Sequence, residues 1–155
     1  MERGFTILVA DRNPHVRQFL RREMEAEGYR VLLARNGHEV LRCVRHEPPD
    51  LVILDLDLPD VREMAILNAI REQIPTLPVV VHTFLSEYIN HPAILSSVSL
   101  VEKNGSNVEG LKSVVLDLLR KFYPQRPLPQ DKMASKASGP EEGPPLPDRG
   151  KDFQV

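Results

Sequence analysis

Unbroken apolar runs alternate along this chain with segments whose apolar positions recur every three or four residues. The runs FTILVA (5–10), YRVLLA (29–34), LVIL (51–54), PVVVHT (78–83) and VSLVE (98–102) are short and rich in β-branched residues. That is the pattern of interior strands with both faces buried. Between them the spacing predicts helices over about 14–27, 37–46, 62–73 and 107–122. The segment 84–97 carries Pro92, so a helix there must begin near that proline or break at it. Five strand-then-helix units imply an α/β fold: a doubly wound parallel sheet of five strands, helices on both faces and right-handed crossovers.

The helix starts have local chemistry of their own. Asn13 before Pro14 reads as a cap followed by proline at the first helical position, where a missing N–H costs nothing. Asn36 with Glu39, and Ser106 with Glu109, have capping-box spacing. The last helix places Val108, Leu111, Val115, Leu118, Leu119 and Phe122 at helical spacing, so one face of it is expected in the core.

Composition changes at residue 124. Seven of the 14 prolines lie from Pro124 onward among glycines, balanced charges and scattered apolar residues, too little to offset the entropy of ordering. The expected organisation is one domain over 1–123 and a disordered Pro-rich tail over 124–155. Within the tail, 144–147 (PPLP) and 153–155 (FQV) have the composition of peptide ligands, with a solvated tail as the default. A net charge of −2 supplies no basic field for nucleic acid. The single Cys43 excludes an intramolecular disulfide and is expected to pack as a small apolar residue. No apolar run approaches a membrane span or a signal h-region, so the expected setting is cytoplasmic, without membrane contact.

Candidate chemistry sits at the strand ends. LVIL ends on Asp55, FTILVA on Asp11 and Arg12, PVVVHT on Thr83, and VSLVE on Lys103. An acid at the carboxyl end of an interior strand lies where open α/β sheets bind ligands. His82, inside an apolar run, is expected to pack with a backbone hydrogen bond rather than bind metal, and the other histidines share no metal-ligand spacing. The Asp57 and Asp60 side chains are expected to face solvent.

Taken together, Asp11, Asp55, Thr83, Lys103 and the surrounding PDLVILDLDLP (49–59) resemble the receiver domain of two-component response regulators. The resemblance covers residues 5 to about 122. It implies the flavodoxin-like (βα)5 fold with strand order 2-1-3-4-5. It also implies that Asp55 is the phosphoacceptor, forming an aspartyl phosphate with phosphoryl oxygens held by Thr83 and Lys103. Mg²⁺ would be bound by Asp11, Asp55 and the backbone carbonyl of Asp57. The implied partners are a histidine kinase or phosphotransfer protein and an unidentified downstream protein. The chain would be a signalling protein rather than an enzyme, a monomer or weak homodimer.

Several residues depart from that pattern. Arg12 stands where receivers carry a second acid, the direct Mg²⁺ ligand, and a guanidinium there should weaken metal binding. It would either swing outward and leave a usable site or take the place of the metal. Phe84 follows Thr83 where a small residue is preferred, Leu100 replaces a common aromatic switch, and Asn104 replaces a proline. The leading expectation is a phosphoaccepting receiver; the alternative is a pseudo-receiver that binds protein constitutively without phosphorylation. A flavin carrier on the same architecture would need a Ser/Thr/Gly-rich loop after the first strand, which DRNP (11–14) does not provide.

Overall fold

The computed structural model describes residues 4–84, 99–103 and 108–131. Its elements are β1 (Thr6–Ala10), α1 (Pro14–Ala26), β2 (Arg30–Ala34), α2 (Gly37–His46), β3 (Leu51–Leu54), α3 (Glu63–Gln73), β4 (Val79–Thr83), β5 (Ser99–Glu102) and α4 (Val108–Phe122). The predicted helix and strand bounds are met within one residue. The break expected at Pro92, the Ser106 cap and Asn104 lie outside the described residues.

All strands run parallel in one sheet ordered β2-β1-β3-β4-β5. The fold is therefore the doubly wound, flavodoxin-like one expected. The register sets Ala10 of β1 beside Leu54 of β3, so the residues that follow them, Asp11 and Asp55, emerge side by side. Alternation along each strand divides the core in two. Leu8, Val52, Leu54 and Val81 face α2 and α3, whereas Ile7, Val9, Ile53 and Val80 face α1 and α4. In α4 the buried stripe is Leu111, Val115 and Leu119. The stripe is narrower than expected, for Phe122 is 42% exposed.

Side chains set the helix starts. Asn13 Oδ1 accepts from the His15 and Val16 N–H groups at 2.8 and 3.4 Å. At α2, Asn36 Oδ1 accepts from Glu39 N–H at 2.9 Å, but the returning bond reaches Arg35 N–H, at 2.7 Å, instead of the cap's own N–H. Hydrogen bonds from Arg35 hold the Glu39 carboxyl down at about 2. Asp60, expected to face solvent, instead accepts from the Gly37 and His38 N–H groups at 2.7 and 3.0 Å. Burial works against its charge, yet these two N–H groups outweigh it and lower its pKa. Orphan amides at a helix start favour a carboxylate.

The expected boundary at residue 124 is too early. Residues 124–131 pack across the amino-terminal ends of the strands. Arg126 pairs with Asp50 at 2.7 Å, donates to the Gly4 carbonyl at 3.1 Å, and lies over the Phe5 ring at 4.1 Å. Tyr123 Oη donates to the Asp50 carbonyl at 2.7 Å. Leu128 is buried in the α1–α4 side of the core. Gly28 has φ +96°, and a Cβ on it would come within 2.6 Å of Pro129 Cβ. Low apolar content misleads here because one leucine and one stacked guanidinium suffice to dock an eight-residue segment onto a preformed edge. Residues 132–155, including the PPLP and FQV segments, lie outside the described residues.

Burying a leucine stabilises by about 1.5–3 kcal/mol, and the Arg126 contacts add to this. A chain ending at Tyr123 is therefore expected to unfold in urea with about 3 kcal/mol less stability than one ending at Asp131. Equal stabilities would mean that the 124–131 contacts contribute nothing.

Candidate functional site

The site forms at the carboxyl ends of β1, β3 and β4, with Lys103 just past β5. Asp11, Arg12, Asn13, Asp55, Asp57, Phe84 and Lys103 line one cavity of about 170 Å³. Asp11 and Asp55 are both buried. Two carboxylates side by side in an apolar sheet need a cation, and Lys103 supplies it. Its Nζ is 2.8 Å from Asp11 Oδ2 and 3.2 Å from Asp55 Oδ2. Among the described residues, Asp11 Oδ2 has no donor other than that ammonium.

Backbone contacts fix each group. Asp55 N–H donates to the Ala10 carbonyl at 2.8 Å and Lys103 N–H to the Thr83 carbonyl at 2.7 Å, extending the parallel ladder one residue past the strands. Asp57 N–H donates to Asp55 Oδ1 at 3.0 Å, and Asn13 N–H to Asp11 Oδ1 at 2.8 Å. Arg17 holds the β1–α1 loop from below, its Nη1 donating to the Asp11 carbonyl at 2.7 Å and to the Arg12 carbonyl at 3.3 Å. Sequence reasoning missed Arg17. The available signal was its place in the buried stripe Arg17, Leu20 and Met24 of α1, because a charge in a core position must have a partner.

The electrostatics follow from this burial. Loss of solvent and the neighbouring Asp11 push the Asp55 pKa above its ordinary value, against the pull of the Asp57 N–H and Lys103. Burial disfavours the Lys103 ammonium, but its bonds and charge interactions with Asp11 and Asp55 outweigh this and leave its pKa raised. A more basic carboxylate beside a firmly protonated lysine is suited to attack an electrophile that carries negative charge.

Of the expected residues, Asp11, Asp55, Asp57 and Lys103 share the cavity. Thr83 is buried as the last residue of β4 and does not line it. Arg12 takes the outward of its two expected courses. It pairs with Asp57 at 3.5 Å, both side chains at least half exposed, and makes no ion pair with Asp11 or Asp55 among the described residues. Such a screened pair is worth about 0–1 kcal/mol. Phe84 is 51% exposed, and Lys103 Nζ lies 5.5 Å from its ring centre. Leu100 and Cys43 are partly buried against the core.

Residues 7–114 match the sequence profile of the response regulator receiver domain. The chain belongs to the receiver family. It is 40% identical over 75 residues to the transcriptional regulatory protein KdpE of Mycobacterium tuberculosis (strain CDC 1551 / Oshkosh), a match covering 48% of this chain and 33% of that protein. It is 31% identical over 142 residues to the response regulator MprA of Mycobacterium sp. (strain KMS), covering 91% and 55%. This receiver thus spans between a third and about half of these relatives' length. Among solved structures, it is similar to the response regulator TrrA of Thermotoga maritima in complex with Mg²⁺–BeF, with TM-score 0.68, 30% identity, and coverage of 74% of this chain and 99% of that one. The receiver domain of AraT from Geobacillus stearothermophilus shares the fold at TM-score 0.68 and 22% identity, covering 79% and 98%. No helix among the described residues is long and apolar enough to cross a membrane.

His82 departs from expectation. It is buried, but its Nδ1 has no hydrogen-bond partner among the described residues. It borders an apolar cavity of about 280 Å³ between α1 and α4, with Phe19, Leu20, Phe84 and Leu111 among its walls. Burial, helped by the Lys103 charge, lowers its pKa from 6.5 to about 4. Between those two pH values the unfolded chain takes up a proton that the folded receiver does not. The stability this imidazole withholds is therefore lost as pH falls from 6.5 towards 4, by about 3 kcal/mol at most. In urea unfolding across that range, His82→Leu should show a shallower loss than the wild type; parallel curves would mean that His82 does not titrate this way.

Proposed function

We propose that this receiver accepts a phosphoryl group on Asp55 from a histidine kinase or phosphotransfer protein and signals through protein contacts rather than as an enzyme. The observation that carries this reading is the Asp55 carboxylate, buried at the cavity with Lys103 Nζ 3.2 Å from its Oδ2. Asp55 is the nucleophile. Lys103 screens the negative charge of the incoming group and stays beside it after transfer. Thr83, at the adjoining strand end, donates its hydroxyl to a phosphoryl oxygen. Arg17 and the Asp57 N–H position the attacking carboxylate and its loop, so that orientation is set before the donor arrives.

The residues present fit a hard divalent cation in part. The Asp11 and Asp55 carboxylates face one cavity, and Asp11 Oδ2 has lone pairs that no donor but Lys103 engages. Asp11, Asp55 and the Asp57 carbonyl would hold Mg²⁺, which neutralises charge on a phosphoryl group when bound. Arg12 stands at the same rim and opposes a second cation, so binding is weak. Lengthening by phosphate at Asp55 adds charge where β3 meets the loop to α3, and this local change is what a partner reads.

Incubating wild type and Asp55→Asn with an acyl phosphate and Mg²⁺, followed by intact mass and peptide mapping, tests the assignment. One phosphoryl adduct on the wild type, mapped to Asp55 and lost in Asp55→Asn, is expected. No adduct on the wild type would favour constitutive binding without phosphate; an adduct persisting in the variant would move the acceptor elsewhere.

A further inference from the structure

We infer that Arg12 is a phosphoryl-binding side chain, which releases Asp57 to clasp the group on Asp55 and takes over charge neutralisation otherwise left to a divalent cation. This rests on Asp55 being the acceptor. The cavity is asymmetric. On its inner side Lys103 is committed to two carboxylates, at 2.8 and 3.2 Å. On its outer rim Arg12 touches a single carboxylate, that of Asp57, at 3.5 Å. Three carboxylates (Asp11, Asp55, Asp57) against two cations (Lys103, Arg12) leave one net negative charge around a cavity of about 170 Å³. An acid in place of Arg12 would make that charge three, which a phosphoryl donor could approach only with added cations.

The chemistry of the guanidinium suits this task. It is planar, always charged and matched to two oxygens of a phosphoryl group at once. The pairing it gives up is long and screened by solvent, so exchanging Asp57 for a dianion costs little. Arg17 fixes the backbone from which Arg12 projects by bonding the Asp11 and Arg12 carbonyls, which leaves the side chain free to swing while its root stays in place. In the transfer, an Asp55 oxygen forms a bond to phosphorus as the bond to the acyl oxygen breaks. The leaving carboxylate departs with that electron pair, no proton moves, and total charge is conserved. Arg12 and Lys103 then hold the phosphoryl oxygens from opposite sides.

The test compares labelling of wild type, Arg12→Ala and Arg12→Lys by acetyl phosphate, read by intact mass, in EDTA and in Mg²⁺. In EDTA the wild type should be labelled about tenfold or more faster than Arg12→Ala, with Arg12→Lys between them because a lysine keeps the charge without the fork. The Arg12 Nε–Hε NMR signal should also shift on phosphorylation, and its exchange with solvent should slow. Equal rates of wild type and Arg12→Ala in EDTA, with an unmoved Arg12 signal, would overturn the inference while leaving Asp55 as acceptor. Labelling of the wild type in Mg²⁺ alone would do the same. No labelling of any protein under either condition would remove the acceptor reading and this inference with it.

Discussion

Two carboxylates emerging side by side from the middle of a parallel sheet are the constraint around which this receiver is arranged. The register that sets Ala10 beside Leu54 makes Asp11 and Asp55 neighbours, and burial denies both of them water. Like charges so placed repel each other, and a cation between them offsets the repulsion. Lys103 is that cation, and the bond from its own N–H to the Thr83 carbonyl at 2.7 Å brings it there. The positions of β4 and β5 in the sheet thus serve the charge balance at the ends of β1 and β3. The same balance leaves a carboxylate more basic than usual facing an open cavity.

β3 has an acid at each end, and the two differ in a way that separates support from chemistry. Asp50, ahead of the strand, is fully engaged: it accepts from Thr6 N–H at 2.8 Å and pairs with Arg126 through both oxygens, at 2.7 and 3.3 Å. It ties β1, β3 and the segment after α4 together. Asp55, past the other end, has one backbone donor and a lysine shared with Asp11. A carboxylate held by three donors ties structure together; one left under-satisfied at a cavity stays available to react.

The relatives, KdpE named as a transcriptional regulatory protein and MprA as a response regulator, are about three times and about twice the length of the matched portion, so what they do as whole proteins does not pass to this receiver by similarity alone. What passes is the receiver fold. Arg12 changes the local electrostatics within that inherited frame. Paired with Asp57, it leaves the rim of the cavity nearly balanced in charge while the acids lie inside.

The sequence by itself determined the strand and helix order, the carboxylate at the end of β3 and the polar residues at the other strand ends. These are local signals: unbroken apolar runs, helical spacing, and caps such as Asn13 act within a few residues of themselves. Only the tertiary structure decided what depends on distant partners. Asp60 reads as a loop acid until the start of α2, 23 residues away, is brought against it. Arg17 is one charge among many until the fold sets it beneath the β1–α1 loop. The segment 124–131 looks too polar to pack until Asp50, Phe5 and Gly28 assemble a surface for it. Arg12 has two courses open to it in the sequence, inward to the buried acids or outward to Asp57. The outward one is taken because Lys103, 91 residues along the chain, already bridges both buried acids, and the outward course keeps the guanidinium in solvent where burial would strip its hydration.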